Sequence, residues 1–104
     1  RPLDRETLRS ILTEPKNAII KQYTRLFEMD GIEFKIDEKA LDFIVDKAVE
    51  YKLGARGLRS LCEEILTDAM FEMPGAEESS LRVTKKYAED KISKSTIKKL
   101  KAVS

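Results

Sequence analysis

Gly54-Ala55-Arg56-Gly57-Leu58-Arg59 separates two segments of strong 3.6-residue hydrophobic periodicity, and its reading decides the fold. Ahead of it, Ala40, Leu41, Ile44, Val45, Ala48 and Val49 form an apolar stripe. Asp37 is expected to cap the start of that helix and Gly54 to end it. Behind it, Leu58, Leu61, Cys62, Ile65, Leu66, Ala69, Met70 and Met73 keep the period until Pro74-Gly75 stops it. The second helix therefore opens on Arg56 and Arg59, against electrostatic preference. A helix start carries partial positive charge, and each misplaced cation costs roughly 0.3–1 kcal/mol. Free amides beside a guanidinium suit an anion, phosphate above all. Arg59 has Glu63 one turn later and is expected to pair with it. Arg56 has only Arg59 and Ser60 at the equivalent positions, which leaves it free to reach outward.

The flanking segments give the rest of the architecture. Asp4 caps a short helix through about Leu12, with Leu8, Ile11 and Leu12 on one side. Thr13-Glu14-Pro15 breaks it, and Pro15 suits the first turn of a second helix. There Ile19, Ile20, Tyr23, Leu26 and Phe27 form a core-facing stripe, and Asp30-Gly31 closes it. Ile32–Ile36 alternates apolar and polar residues as a strand with one buried face. Leu81–Thr84 is a second strand able to pair with the first, and a further helix runs from Lys85 to about Ile92. The predicted class is α+β and mostly helical: about four helices with a short two- or three-stranded sheet. Cys62, Met70 and Met73 read as core filler.

Composition excludes several chemistries. A chain of 104 residues is one domain, able to bury roughly 65% of its unfolded surface. One cysteine and no histidine rule out a zinc site of Cys/His type and any histidine-based catalysis within these residues. No apolar run reaches the length of a membrane span and no signal peptide opens the chain, so a reducing, cytoplasmic setting is expected. Residues 85–104 hold seven lysines against Glu89 and Asp90, while the remainder of the chain is acidic. That basic end has one aromatic, Tyr87, and no arginine, which serves base stacking and bidentate base contacts poorly. Residues 93–104 read as a basic, disordered tail. The sequence has no Gly-x-x-x-x-Gly-Lys-Ser/Thr phosphate loop and no recognisable nucleophile arrangement, so no catalysis is expected of this chain alone.

Gly-Ala-Arg-Gly-Leu-Arg resembles the sensor-2 motif of the Clp/Hsp100 branch of AAA+ ATPases, and glycine directly after the arginine resembles its ClpX-type members. Ile11-Leu12-Thr13-Glu14-Pro15-Lys16-Asn17-Ala18, Lys21-Gln22-Tyr23, Leu26-Phe27 and Asp30-Gly31 agree with that branch in order and spacing. The likeness runs from about Leu3 to about Pro74. It implies that residues 1–92 are the small C-terminal lid domain of a AAA+ unfoldase. Arg1-Pro2-Leu3, with no start methionine, then begins close after the arginine finger of a large domain carried by a longer polypeptide.

The resemblance further implies ATP or ADP in the cleft between the two domains, with magnesium held by the absent large domain. Arg56 would reach the β/γ-phosphates, with Gly54 and Ala55 beside them and Leu3 and Ile11 near the adenine. The implied partners are the large domain of the same chain, that of a neighbouring subunit in a homohexamer, substrate polypeptides and the ClpP peptidase. A membrane is not expected, nor is nucleic acid. Two readings of other classes stay open: a stand-alone helical protein-interaction module, and a nucleic-acid binder acting through the lysine-rich end.

Overall fold

The computed structural model describes residues 4–14, 19–72 and 80–92. Their order is α1 (Arg5–Thr13), α2 (Ile19–Met29), β1 (Glu33–Ile36), α3 (Glu38–Glu50), α4 (Ala55–Glu72), β2 (Ser80–Val83) and α5 (Lys85–Lys91). The architecture is α+β and mostly helical with a two-stranded sheet, with five helices among the described residues where about four were expected. Pro15, Met73, Pro74 and the tail 93–104 lie outside the described residues, so the expectations placed on them rest on sequence.

Local chemistry sets each boundary. Asp4 caps α1: its Oδ1 accepts from the Thr7 N–H at 2.8 Å, which holds its carboxyl below the ordinary range. Gly31, at φ +74°, ends α2 in a Schellman motif. Its N–H donates to the Glu28 carbonyl at 2.9 Å, and the Ile32 N–H donates to the Phe27 carbonyl at 2.9 Å.

Asp37 stands at the N-cap of α3, but its side chain makes no cap hydrogen bond. Its Oδ1 accepts instead from Arg82 Nε at 2.8 Å, and that bond raises the Arg82 pKa. A charged donor outcompetes a neutral amide for the same oxygen. Thr84, read as the last residue of β2, caps α5 instead, its Oγ1 accepting from the Tyr87 N–H at 3.1 Å.

The end of α3 differs from expectation. The helix stops at Glu50, and the left-handed residue that closes it is Lys52, at φ 56°, not Gly54. The Lys52 N–H donates to the Val49 carbonyl at 3.1 Å and the Leu53 N–H to the Ala48 carbonyl at 2.8 Å. The fully buried Leu53 anchors this turn, which is why the chain reverses two residues before the glycine. Gly54 serves the next helix: its carbonyl accepts the Leu58 N–H at 2.9 Å, the first bond of α4.

A left-handed residue other than glycine costs roughly 1–2 kcal/mol, and glycine's extra chain entropy returns about half of any gain. Lys52→Gly should therefore stabilise the chain by about 0.5–1 kcal/mol, a rise of roughly 2–8 °C in the thermal midpoint. A lower midpoint in a melting experiment would mean that the Lys52 side chain contributes more than its backbone costs.

The two strands pair in parallel, Phe34 opposite Leu81 and Ile36 opposite Val83, with α3 and α4 forming the crossover between them. Two short strands alone are marginal, so they depend on the helices. Phe34 stacks on Phe27 of α2, ring centroids 5.1 Å apart, and Val83 is fully buried. The core joins α1 through Leu8 and Leu12, α2 through Ile19 and Phe27, and α3 through Ile44 and Val45. From α4 it takes Leu58, Leu61, Ile65 and Leu66.

Three residues of α2 and α3 depart from their expected place. Val49 is 43% exposed and Leu26 44% exposed, both at the margins of their stripes. Phe43, outside the expected set, is buried instead, with the Lys47 ammonium 5.6 Å over its ring. Cys62 is a buried core residue as expected, its thiol pushed up to about 12 by burial.

Candidate functional site

The geometry of the hexapeptide follows from its neighbours. Leu53 and Leu58, both fully buried, fix the backbone on either side of the junction that opens α4. Gly57 is buried beside them, and Ala55 and Arg56 are exposed. The first turn of α4 contains no acidic residue. Among the described residues Arg56 takes part in no hydrogen bond within 3.5 Å and no ion pair within 4.0 Å. Its guanidinium spends none of its donors on the described residues.

Several acids of α3 and α4 are paired with other cations. Asp42 and Asp46 face Arg5 and Arg9, Glu50 accepts from Lys47, and Asp68 accepts from Lys91. An exposed guanidinium beside unsatisfied helix-start amides can bind an anion; with no nucleophile or base nearby, it can orient that anion but not transform it.

Gly54, Ala55 and Arg56 thus stand together at the start of α4. Ile11 lies half-buried against the core on α1, a helix that touches α4. Leu3 lies outside the described residues. Arg59 departs from its expected pairing with Glu63: it reaches across to α2, where Nη1 donates to Gln22 Oε1 at 2.9 Å. Helix packing brings Gln22 closer to that fork than the residue one turn along α4.

A second surface was not legible in advance. Between α2 and α4 runs a groove of about 460 Å³ lined by Tyr23, Leu26, Arg59, Glu63, Met70 and Phe71. Met70, read as core filler, is only partly buried and forms part of this wall. Phe71 is 83% exposed, and Met29, 82% exposed, lines a smaller pocket beside the groove that shares Leu26 and Met70. Burial, and then the charge of Glu63, raise the Tyr23 pKa above its ordinary value. The signal available was weak: Leu26 and Phe71 sit at the fringes of stripes whose centres are buried.

Among the described residues no cluster of three or more His, Cys, Asp or Glu side chains could hold a metal ion. No described helix is long and apolar enough to cross a membrane.

Residues 3–86 match the family model of the C-terminal, D2-small domain of ClpB protein. The chain is also similar to curated proteins named ATP-dependent Clp protease ATP-binding subunit ClpX. The Bacteroides thetaiotaomicron protein is 56% identical over 99 residues, covering 95% of this chain and 24% of that protein. The Porphyromonas gingivalis protein is 61% identical over 88 residues, 85% of this chain and 21% of that protein. A Bacteroides fragilis protein is 54% identical over 99 residues. The chain therefore spans about a quarter of the length of these relatives.

Proposed function

The chain belongs to the family of the C-terminal, D2-small domain of ClpB protein, and on that premise we propose that it is the small domain of a ClpX-like, ATP-dependent protein unfoldase. In this reading Arg56 is the sensor-2 arginine, and it contacts the β/γ-phosphates of ATP held by the large domain together with magnesium. Gly54 and Ala55 allow close approach, and Ile11 and Leu3 lie toward the adenine. The observation that carries the proposal is Arg56, exposed and without an ion pair among the described residues, at the start of an α4 whose first turn holds no acid.

ATP supplies an anionic triphosphate that loses its terminal phosphate on hydrolysis; the chain's own part is to respond to that change. A hydrogen bond to a charged partner is worth roughly 1.5–3 kcal/mol, about one to two decades in an equilibrium. Only a contact that differs between two states shifts their populations. Arg56 supplies such a difference between closed and open arrangements of the two domains. It stands at the start of an 18-residue helix whose inner face is packed from Leu58 to Ala69. A close-packed helix does not deform continuously, so a force at Arg56 turns the domain as a body.

The partner surface follows from the groove. A contiguous exposed apolar face marks an interaction site, and Leu26, Met29, Met70 and Phe71 form one. In this proposal the large domain of a neighbouring subunit covers it in a cytoplasmic homohexamer. Rotation of the small domain would then be passed on to translocate substrate polypeptides into the ClpP peptidase. The same face is what favours an interaction module as a second reading. A nucleic-acid role has less support, because Lys85 and Lys91 of the basic end lie 3.8 Å from Glu89 and 2.8 Å from Asp68.

Nucleotide titration and turnover separate the two readings. The chain alone should show no ATP hydrolysis and at most very weak nucleotide binding, with tight binding restored in a full-length polypeptide carrying it. Robust hydrolysis by the chain alone would refute the proposal that it supplies half a site.

A further inference from the structure

Helix α1 has nine residues, too few to be stable by itself in water, so it exists only as far as it is docked. Leu8 and Leu12, fully buried, provide the apolar part of that docking. Only these two side chains of α1 are buried, so few packing contacts fix how far the helix slides or turns. The charges of α1 and α3 add what burial lacks. Arg9 donates to Asp42, with Nη1 at 2.5 Å, and to Glu38. Arg5 donates to Asp46 and lies 3.9 Å from Asp42. The result is one unbroken alternating row, Glu38–Arg9–Asp42–Arg5–Asp46, between two antiparallel helices. Each arginine straddles two acids one turn apart, so a slip of α1 by a fraction of a turn takes both guanidiniums off their acids together.

We propose that this row is a salt-sensitive clasp that makes α1 part of the rigid body of the domain. Resting on the function proposed above, the clasp carries rotation of α3 and α4 undiminished to Ile11. Isolated surface pairs contribute little, but a connected network with two-acid contacts to each guanidinium is the arrangement in which they count. Because the row is exposed, mobile ions screen it, whereas the leucine contacts are not weakened in the same way.

Native-state hydrogen exchange on this chain tests the clasp without mutation. The Glu14 amide, bonded to the Ser10 carbonyl, and its α1 neighbours should exchange at least tenfold faster when salt rises from about 20 mM to about 500 mM. Amides in the middle of α4 should not follow. Arg9→Ala should produce the same acceleration at low salt and abolish most of the salt response. Arg9→Lys, which keeps the charge without the fork, should keep part of the protection and of the salt response. A salt response equal in α1 and α4, or one unchanged by Arg9→Ala, would overturn the clasp.

In a full-length polypeptide, Arg9→Ala should lower substrate unfolded per ATP at least threefold with nucleotide affinity unchanged. Loss of nucleotide affinity belongs to Arg56→Ala, so failure of the two ideas can be told apart. Unfolding per ATP equal to wild type in Arg9→Ala would overturn the clasp's part in transmission.

Discussion

Arg56→Ala, placed in a full-length ClpX-like polypeptide, should abolish ATP-driven unfolding of a folded substrate while leaving the domain folded. The expectation follows from what the residue does not do inside the chain. It is exposed, and it makes no hydrogen bond or ion pair among the described residues. Removing it therefore costs the fold within about 0.5 kcal/mol, as for surface positions in general. Removing a charge-assisted contact to phosphate costs roughly 1.5–3 kcal/mol of the difference between nucleotide states. At one to two decades per site, and with every subunit of an assembly affected, the closed arrangement would no longer be favoured by ATP. Arg56→Lys should recover part of the charge but not the two-pronged geometry, and so only part of the activity. Wild-type unfolding by Arg56→Ala would remove the residue from the mechanism. Unfolding of substrate and circular dichroism of the variant, measured together, decide it.

Leu66→Ala should destabilise the domain by about 2–5 kcal/mol, lowering the thermal midpoint by roughly 8 °C or more. Leu66 is 1% exposed, and it lies within the row of α4 residues that α1, α2, α3 and α5 close over. Its removal takes away transfer free energy and leaves a cavity that surrounding helices cannot fully collapse. Phe71, five positions on, is the control: it is larger but 83% exposed, and Phe71→Ala should change stability by no more than about 0.5 kcal/mol. Equal midpoints for the two variants in calorimetry would mean that the buried face of α4 is wrongly identified.

The fold was legible where one signal dominated. The α4 stripe from Leu58 to Ala69 is buried as its period requires, and the strand at residues 33–36 follows its alternation. Capping residues gave Asp4 and Gly31 their roles because each has no local competitor.

Misreadings arose where two devices competed for one position. Gly54 drew the helix end that Lys52 makes, because burial of Leu53 fixes the turn and propensity does not. Asp37 reads as a cap in any local view, but Arg82, forty-five positions away, takes its carboxylate. Arg59 likewise bonds Gln22 across the helix pair, which no i, i+4 rule contains. Stripe edges are ambiguous for the same reason: Leu26 and Met70 differ from their buried neighbours only in what packs above them. Of the candidate site, the placement of Arg56 was readable because it rests on an absence of local acids that the linear sequence displays.

The central claim concerns where that guanidinium goes when nucleotide is present. The most direct measurement is a structure of a full-length polypeptide carrying this domain with a slowly hydrolysed ATP analogue bound. The account predicts an Arg56 guanidinium nitrogen about 3 Å from a β- or γ-phosphate oxygen, with α4 unbroken behind it. Arg56 turned to solvent, or paired with a carboxylate while the phosphates are held without it, would contradict the account.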